Sequence, residues 1–351
     1  MNSDTKMLRL ALDAMGGDNA PACVVRGADI ACGDNPNLSV VFYGDQARIT
    51  PLIQRARNLS SATIIHTTDE VSPDDTASQA VRRGKETSMW MAIASVADGH
   101  ADAVVSAGNT GALMAMSKLQ LRTMTGVTRP AIAAFFPTVG ELMCMLDLGA
   151  NLECDAENLV QFAILGQAFH RSLTGKEAPR LGLLNVGEEE QKGHEYLRAA
   201  SRRLGDPELG VNYQGFVEGS DLTNGKLDVV VTDGFSGNIA LKTAEGTAKQ
   251  IAGYLRAAMQ RTFMARLGYV LARGAFAYLR EKMDVRKANG GVFLGLNGIV
   301  VKSHGGTDAE GFAAAVELGY DMVRNRLLEQ IGRDLEHFHA GRPAAASGEN
   351  T

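Results

Sequence analysis

Short apolar runs that end in Gly, Asp or Asn recur along the chain and alternate with longer stretches of helical periodicity. Two early runs are Leu8–Leu12 and Ser39–Tyr43, and later runs follow the same pattern. Between runs, the stretch Glu157–Ser172 places apolar side chains on one helical face. Strands that alternate with helices predict a parallel sheet, and continuously apolar strands predict that both faces of this sheet are covered. The pattern therefore predicts an α/β fold with a mostly parallel sheet.

The length of 351 residues and the lack of an obvious linker favour a single α/β domain over residues 1–335. The small and polar residues 340–351 predict a disordered tail. The four cysteines contain no CxxC pair, and no run is long enough for a signal peptide or a membrane span. We therefore expect a cytoplasmic protein with reduced thiols and only peripheral membrane contact. The net charge of −5 argues against general nucleic-acid binding.

Glycine-rich and polar turns follow the apolar runs. Because parallel strands deliver their carboxyl ends to one edge of a sheet, we expect these turns to converge there and form the active site. Such turns present backbone N–H groups to anions, above all where a helix begins directly afterwards. Gly16 and Gly17 leave the first strand, and Asn109 and Thr110 open a predicted helix. Each turn alone is equally typical of a tight α/β connection.

Several catalytic motifs are absent from the sequence. No Gly-Lys pair is followed by the Ser or Thr of a Walker A motif, and there is no GxGxxG dinucleotide motif. Gly234–Gly237 is one residue short of the nucleophile elbow of serine hydrolases, and no HExxH zinc motif occurs. What remains is a set of glycine-rich turns with nearby cations and carboxamides, which suits the binding of anions.

Several cationic side chains lie close to these turns. A single lysine usually lies on the solvated surface, but a lysine or histidine directly after an apolar strand and before Gly-Gly indicates a ligand site. The candidates are Arg82, Lys85, Lys192, Lys242, Lys302 and His304. Lys302 and His304 fit this pattern best.

An acidic cluster at Glu153–Glu157 allows two interpretations. Its carboxylates at i and i+4 could hold a metal ion. Acidic residues also favour helix N-termini electrostatically, and a predicted helix follows directly. We favour the helix start and predict no metal site.

Nine segments, in order over about residues 8–325, together resemble the bacterial phosphate acyltransferase (PlsX) family. They are DAMGGD (13–18), RRGKETSM (82–89), ADAVVSAGNTGALMA (101–115), TRPAIAA (128–134), LDLGANLECDAENLVQFA (146–163), LGLLNVGEEEQKG (181–193), GFVEG (215–219), DVVVTDGFSGNIALKTAEG (228–246) and KSHGG (302–306). One departure is Thr87, which stands where the family pattern has Ser and keeps the hydroxyl.

The resemblance implies a Rossmann-like, three-layer α/β/α sandwich related to phosphotransacetylases and isopropylmalate-type dehydrogenases. It implies reversible transfer of a fatty acyl group from acyl-acyl-carrier-protein to inorganic phosphate, without cofactor or metal. It also implies a homodimer whose acyl phosphate passes to a membrane glycerol-3-phosphate acyltransferase of the PlsY type in phospholipid synthesis.

This reaction needs little from the protein beyond positioning and electrostatics. Phosphate already carries a nucleophilic oxygen, and a thiol with a pKa near 8.5 is a good leaving group. The enzyme must hold two anionic reactants together and stabilise an oxyanion. The predicted catalytic residues are Lys302, His304, Asn109, Asn185 and Asp233. The predicted substrate-binding residues are Asp13, Gly16, Gly17, Arg82, Lys85, Thr110, Lys192, Asn238 and Lys242. Within these sets, the cations would bind phosphate, the asparagines and Thr110 would act as neutral donors, and Asp13 and Asp233 would orient the cations.

Residues 247–287 differ from the rest of the chain because they hold nine Lys or Arg and two Asp or Glu. An apolar stripe recurs every three or four residues, and an arginine stripe every seven. The two stripes are Leu255, Met259, Phe263, Leu267 and Val270, and Arg266, Arg273 and Arg280. The segment predicts a protruding helical hairpin that serves the dimer and an anionic membrane or carrier surface.

Three other functions remain as alternatives. A phosphotransacetylase acting on short acyl-CoA would use the same chemistry with a different carrier. A metal- and NAD-dependent decarboxylating dehydrogenase would need a dinucleotide pocket and a metal triad, neither of which the sequence indicates. A non-catalytic scaffold for acyl-carrier protein would leave the polar strand ends unexplained.

Overall fold

The computed structural model describes residues 7–136, 138–276 and 290–340. The strands in this part of the chain are β1 (Leu8–Asp13), β2 (Leu38–Gly44), β3 (Thr63–His66), β4 (Ala103–Ser106), β5 (Ala131–Phe136), β6 (Met143–Leu146), β7 (Arg180–Leu184), β8 (Asn212–Val217), β9 (Val229–Val231), β10 (Gly291–Leu294) and β11 (Ile299–Lys302). They form one sheet in the order β3-β2-β1-β4-β11-β10-β5-β6-β9-β7-β8.

Helices connect most of the strands. They are α1 (Ala22–Asp34), α2 (Gln46–Ile53), α3 (Ala77–Arg83), α4 (Ser88–Ala97), α5 (Thr110–Leu121), α6 (Ala156–Thr174), α7 (Glu195–Leu204), α8 (Gly234–Gln260), α9 (Phe263–Leu271), α10 (Ala309–Arg324) and α11 (Leu327–Ala340). Short 3-10 turns occupy Gly84–Glu86, Pro207–Leu209 and Gly219–Thr223. Within the described ranges, no helix combines the length and apolarity needed to cross a bilayer.

The sheet is buried on both faces, which explains the continuously apolar strands. In β1, Leu10 and Leu12 point into one core with Phe312 of α10, whereas Ala11 points into a second core with Met89 of α4. Alternate side chains of one strand therefore lie in different layers, as the pleat requires. The expected α/β fold with a mostly parallel sheet is confirmed.

The sheet contains two parallel blocks that run in opposite directions. Strands β1–β4 and β11 are mutually parallel, and so are β6 to β9. Between the blocks, β10 and β5 form antiparallel pairs, which reverses the direction. The expectation that all carboxyl ends meet at one edge is therefore wrong. The carboxyl ends of β1, β4 and β11 lie on one side of the sheet, which we call edge one. Those of β6, β7 and β9 lie on the opposite side, which we call edge two. Both edges are formed by strand ends and not by an outermost strand.

The acidic cluster at Glu153–Glu157 begins α6. Asp155 caps this helix, since its carboxylate accepts a hydrogen bond from the backbone N–H of Asn158 at 2.8 Å. Glu157 in the first turn forms an ion pair with Arg203 at 2.5 Å. These contacts account for the carboxylates of Asp155 and Glu157 as parts of the fold. Across the described ranges, no cluster of three or more His, Cys, Asp or Glu side chains is arranged to hold a metal ion.

The predicted hairpin differs from the structure in its bounds. Helix α8 begins at Gly234, well before residue 247, and continues to Gln260. Thr262 then caps α9 by accepting a hydrogen bond from the backbone N–H of Ala265 at 3.1 Å. We call α8 from residue 247 onward together with α9 the arm. Arg280 and the rest of the predicted hairpin beyond residue 276 lie outside the described residues, as does the predicted tail after Ala340.

Candidate active site

A cavity of about 1270 Å³ lies between α8, the arm and the centre of the sheet. Its walls come from the ends of β10 and β11, from β5, and from one face of α8. Five of the predicted site residues line it: Thr110, Asn238, Lys242, Lys302 and His304. Residues far apart in sequence thus meet in one cavity, although the carboxyl ends of the strands do not all lie at one edge.

Lys302 is the last residue of β11 and lies at edge one. Its ammonium group donates hydrogen bonds to the backbone carbonyls of Ala107, at 3.4 Å, and Ser303. Burial lowers the pKa of Lys302 to about 8, although the carboxylates of Asp13 and Asp18 act in the opposite direction. A cation held in a poorly solvated place gains more from an incoming anion than one in water. Lys302 is therefore well placed to bind phosphate or a developing oxyanion.

His304 lies two residues further along the same loop. Its Nδ1 accepts a hydrogen bond from the backbone N–H of Gly306 at 3.2 Å. Burial lowers the pKa of His304, and the nearby cations lower it further, against the opposing effect of Glu245. A neutral ring whose Nδ1 accepts must carry its proton on Nε2. His304 can therefore present an uncharged N–H donor to the cavity.

Lys242 adds a second ammonium group from α8. It forms an ion pair with Glu245, one turn later on the same helix, at 2.8 Å. Lys242 is close enough to lower the pKa of both Lys302 and His304. We call Lys242, Lys302 and His304 the anion cluster. Because like charges repel, this arrangement favours a ligand that carries negative charge.

Asp13 ends β1 behind the anion cluster. Its buried carboxylate accepts hydrogen bonds from the hydroxyls of Ser88 at 2.6 Å and Ser106 at 2.7 Å. These contacts join β1, α4 and β4 at the edge where Lys302 lies. Burial raises the pKa of Asp13, and both serine hydrogen bonds counteract this rise. The predicted role of orienting a cation fits Lys302, whose charge Asp13 stabilises.

The two glycines after β1 pack against other turns of edge one. A Cβ on Gly16 would lie 2.5 Å from a carboxylate oxygen of Asp13 and 2.7 Å from the backbone N of Gly108. Gly17 has a positive φ of 102°, and a Cβ there would approach Ala107 to 2.9 Å. The turns can approach so closely only because both positions lack a side chain. Neither glycine lines the cavity.

The remaining predicted residues of edge one have structural contacts. Asn109 caps α5 by accepting from the N–H of Ala112 at 3.0 Å, and its Nδ2 donates to the carbonyls of Pro73 and Asp75. Arg82 at the end of α3 and Lys85 in the following turn are exposed, and neither lines the cavity. Substrate contacts for these three remain predictions.

At edge two, three of the predicted residues have structural contacts and lie outside the cavity lining. Asn185 donates to the carbonyl of Lys192 at 3.1 Å, and the ammonium group of Lys192 pairs with Glu189 at 2.7 Å. Asp233 caps α8 by accepting from the backbone N–H of Ser236 at 2.8 Å and also accepts from the hydroxyl of Tyr196. None of Asn185, Lys192 and Asp233 lines the cavity, and their catalytic or binding roles stay predictions.

Asp147 is a residue to which the sequence reasoning gave no role. Its fully buried carboxylate accepts hydrogen bonds from four backbone N–H groups and from the side-chain amide of Asn151. The turn that it holds includes Leu148, whose carbonyl accepts from Asn238 at 3.2 Å. Asp147 thereby supports the wall of the cavity from edge two. Its position directly after an apolar strand and two residues before Gly149 was the available signal.

The four cysteines are unsuited to nucleophilic chemistry. Burial raises the pKa of Cys23 and Cys32 to about 11 and that of Cys154 to about 12, and it raises the pKa of the fully buried Cys144 as well. A reactive cysteine needs a lowered pKa, because the thiolate is the nucleophile.

Residues 8–330 match the family model described as "Fatty acid synthesis protein". Among curated proteins, the chain is 58% identical over 352 residues to a phosphate acyltransferase of Xanthobacter autotrophicus, covering 98% of this chain and 99% of that protein. It is 58% identical to the phosphate acyltransferase of Azorhizobium caulinodans, with 93% of each chain covered. It is 55% identical to that of Mesorhizobium japonicum, with 97% of each covered.

Solved structures share the fold at low sequence identity. A phosphotransacetylase from Streptococcus pyogenes matches with a TM-score of 0.61 at 16% identity, covering 90% of this chain and 94% of the other. The EutD phosphotransacetylase from Staphylococcus aureus matches with a TM-score of 0.57 at 16% identity over the same shares. At such identities the likeness supports the architecture alone.

Proposed function

Since the chain belongs to the phosphate acyltransferase family, we propose that it transfers a fatty acyl group reversibly from an acyl-carrier-protein thioester to inorganic phosphate. The product is an acyl phosphate for glycerol-3-phosphate acylation in phospholipid synthesis. The observation that carries the proposal is the anion cluster, which lies in a cavity whose other walls are largely apolar. Such a site suits a reaction between an anion and a lipid-like acyl group.

In the proposed reaction, a phosphate oxygen attacks the thioester carbonyl carbon and forms the new C–O bond. The C–S bond then breaks, and the thiolate leaves with its electron pair and takes up a proton. Lys302 and Lys242 hold the phosphate, and the Nε2–H of His304 donates to the carbonyl oxygen as it gains charge. Preorganised donors of this kind supply much of the rate in acyl transfer.

The proposed function is tested by incubating the protein with long-chain acyl-carrier protein, phosphate and hydroxylamine. Acyl phosphate reacts with hydroxylamine, so an acyl hydroxamate is expected only when phosphate is present. The same assay with acetyl-CoA in place of the carrier protein separates the alternative, a short-chain phosphotransacetylase. Hydroxamate from acetyl-CoA but not from the carrier protein would overturn the proposed donor.

The pH dependence of kcat/KM for phosphate follows from Lys302. Its ammonium form dominates below a pKa of about 8 and is lost as the pH rises. We expect kcat/KM to fall as the pH passes about 8, whereas a lysine with an ordinary pKa would hold the rate to about pH 10. Lys302→Arg, whose guanidinium stays charged, should lack this alkaline decline at a lower overall rate. A wild-type profile that stays level to about pH 10 would contradict the assignment.

The arm is proposed to serve both a homodimer and an anionic membrane surface. On α9, Phe263 is 78% exposed and Leu271 is 81% exposed, and the exposed Arg273 lies two residues after Leu271. An apolar face beside cations is typical of helices that lie at a membrane interface. Peripheral attachment there would bring the product close to a membrane glycerol-3-phosphate acyltransferase, the proposed functional partner.

Replacing Leu267 by Glu together with Arg273 by Gln is expected to weaken sedimentation with anionic liposomes at least about tenfold, because apolar burial and one cation are lost. Neither residue lines the cavity, so activity without lipid should persist. Zwitterionic liposomes serve as the control for charge. Unchanged sedimentation would exclude this surface as the membrane contact, and loss of the dimer mass would assign it to assembly instead.

A further inference from the structure

The cavity continues from the anion cluster into a groove along the arm. One face of α8 supplies Ala248, Ala252, Leu255 and Met259, and α9 supplies Tyr269 and Val270. The α8 positions are spaced by three and four residues, so they form a continuous apolar stripe on one side of the helix. We call these six residues the arm groove. The predicted apolar stripe is thus divided, since Phe263 and Leu267 do not line the groove.

The two directions from the anion cluster differ in length. Towards edge two, the cavity extends along α8 only from Lys242 to Asn238, which is about 6 Å at 1.5 Å per residue. There it meets the buried Leu148 and the close contact between Asn238 and Gly149. Towards the arm, the lining continues from Lys242 to Met259, which is about 25 Å. Among the described residues, the arm direction thus offers the longer path, with an apolar stripe beside Lys249, Arg256 and Gln260.

We propose that the arm groove binds the fatty acyl chain and that Ala252 sets the longest chain that fits, an inference that rests on the proposed acyl transfer. The carbonyl carbon must lie beside the phosphate at the anion cluster. The chain then runs along the stripe towards Met259. Small side chains at Ala248 and Ala252 leave room that a larger residue would fill.

The phosphopantetheine arm of the donor is the other occupant that could enter this groove. Its amide groups need hydrogen-bond partners when they leave water. The apolar stripe of the arm groove has one polar side-chain group, that of Tyr269, although Lys249, Arg256 and Gln260 line the same stretch of the cavity on α8. A saturated hydrocarbon chain matches the apolar stripe, because each of its methylenes gains from leaving water. The stripe therefore favours the acyl chain, and an equal loss for all chain lengths in the test below would indicate the phosphopantetheine arm instead.

The test measures kcat/KM with butyryl, octanoyl and palmitoyl donors for Ala252→Trp and Ala248→Trp. A methylene kept out of apolar contact costs about fourfold, so two or more cost above about tenfold. Ala252→Trp should lose at least about tenfold with palmitoyl donor and stay within about twofold with butyryl donor. Ala248→Trp, nearer to the anion cluster, should impose its limit at a shorter chain. Ala257→Trp, on the opposite face of α8, is the matched control and should leave all three donors unchanged.

Equal losses for all chain lengths in Ala252→Trp, with a native circular dichroism spectrum, would overturn the proposal. The same would follow if Ala257→Trp reproduced the selective loss. If Ala252→Trp does not fold, Ala252→Leu and Ala248→Trp decide by the same criterion. Failure of the proposed function would look different, because the unaltered protein would then form no acyl phosphate from any donor.

Discussion

Replacing Lys302 by Ala should lower kcat/KM for phosphate by a factor on the order of 10²–10³, which is the usual effect of removing one preorganised charge from an active site. The reason is the placement of the ammonium group, which is held by two backbone carbonyls inside the cavity and is poorly solvated. Initial rates at phosphate concentrations well below KM measure the effect directly.

Lys226→Ala is the matched control, because Lys226 is exposed and does not line the cavity. It should leave the rate within about twofold, as for most surface substitutions. If Lys302 only lay on the solvated surface at the end of a strand, its replacement would also leave the rate unchanged. An unchanged rate of the Lys302→Ala variant at low phosphate would therefore show that this lysine takes no part in the reaction.

Replacing Asp147 by Ala should reduce the free energy of unfolding by at least about 3 kcal/mol, because four backbone N–H groups would lose their buried acceptor at once. Asp147→Asn keeps one acceptor oxygen and should cost less. Urea unfolding followed by circular dichroism measures both variants. Asp98→Ala, an exposed aspartate at the end of α4, should stay within about 0.5 kcal/mol. An equal effect of Asp147→Ala and Asp98→Ala would show that the turn does not depend on this carboxylate.

The sequence predicted most of what lies at edge one. The apolar runs before Asp13, Ser106 and Lys302 are strands, and their following turns meet in space. The reason is that buried parallel strands have a strong local pattern, which tertiary contacts do not override. Lys302 and His304, which the sequence predicts as site residues from their position after such a strand, line the cavity, and their catalytic roles stay predictions.

The direction of the second block could not be read from the strand patterns. A strand looks the same in sequence whether its neighbour is parallel or antiparallel. The signal lay in the connections, since β5 and β6 are joined by residues 137–142 and β10 and β11 by residues 295–298. Such links are too short for a parallel crossover, which needs a dozen residues or more. Asp147 and Asp233 also accept hydrogen bonds from Ile132 and Tyr196, which are distant in the chain, and no local pattern specifies these two contacts.

The position of β11 in the sheet has a consequence for how the protein is made. Strand β11 lies beside β4 and belongs to the block of β1–β4, although nearly 200 residues separate it from them in the chain. Helix α10, which packs on α1, is later still. During synthesis, the side of β4 that pairs with β11 therefore has no partner strand until most of the chain has left the ribosome. Lys302 and His304 are synthesised with this last strand, so the anion cluster forms only when β11 has paired with β4.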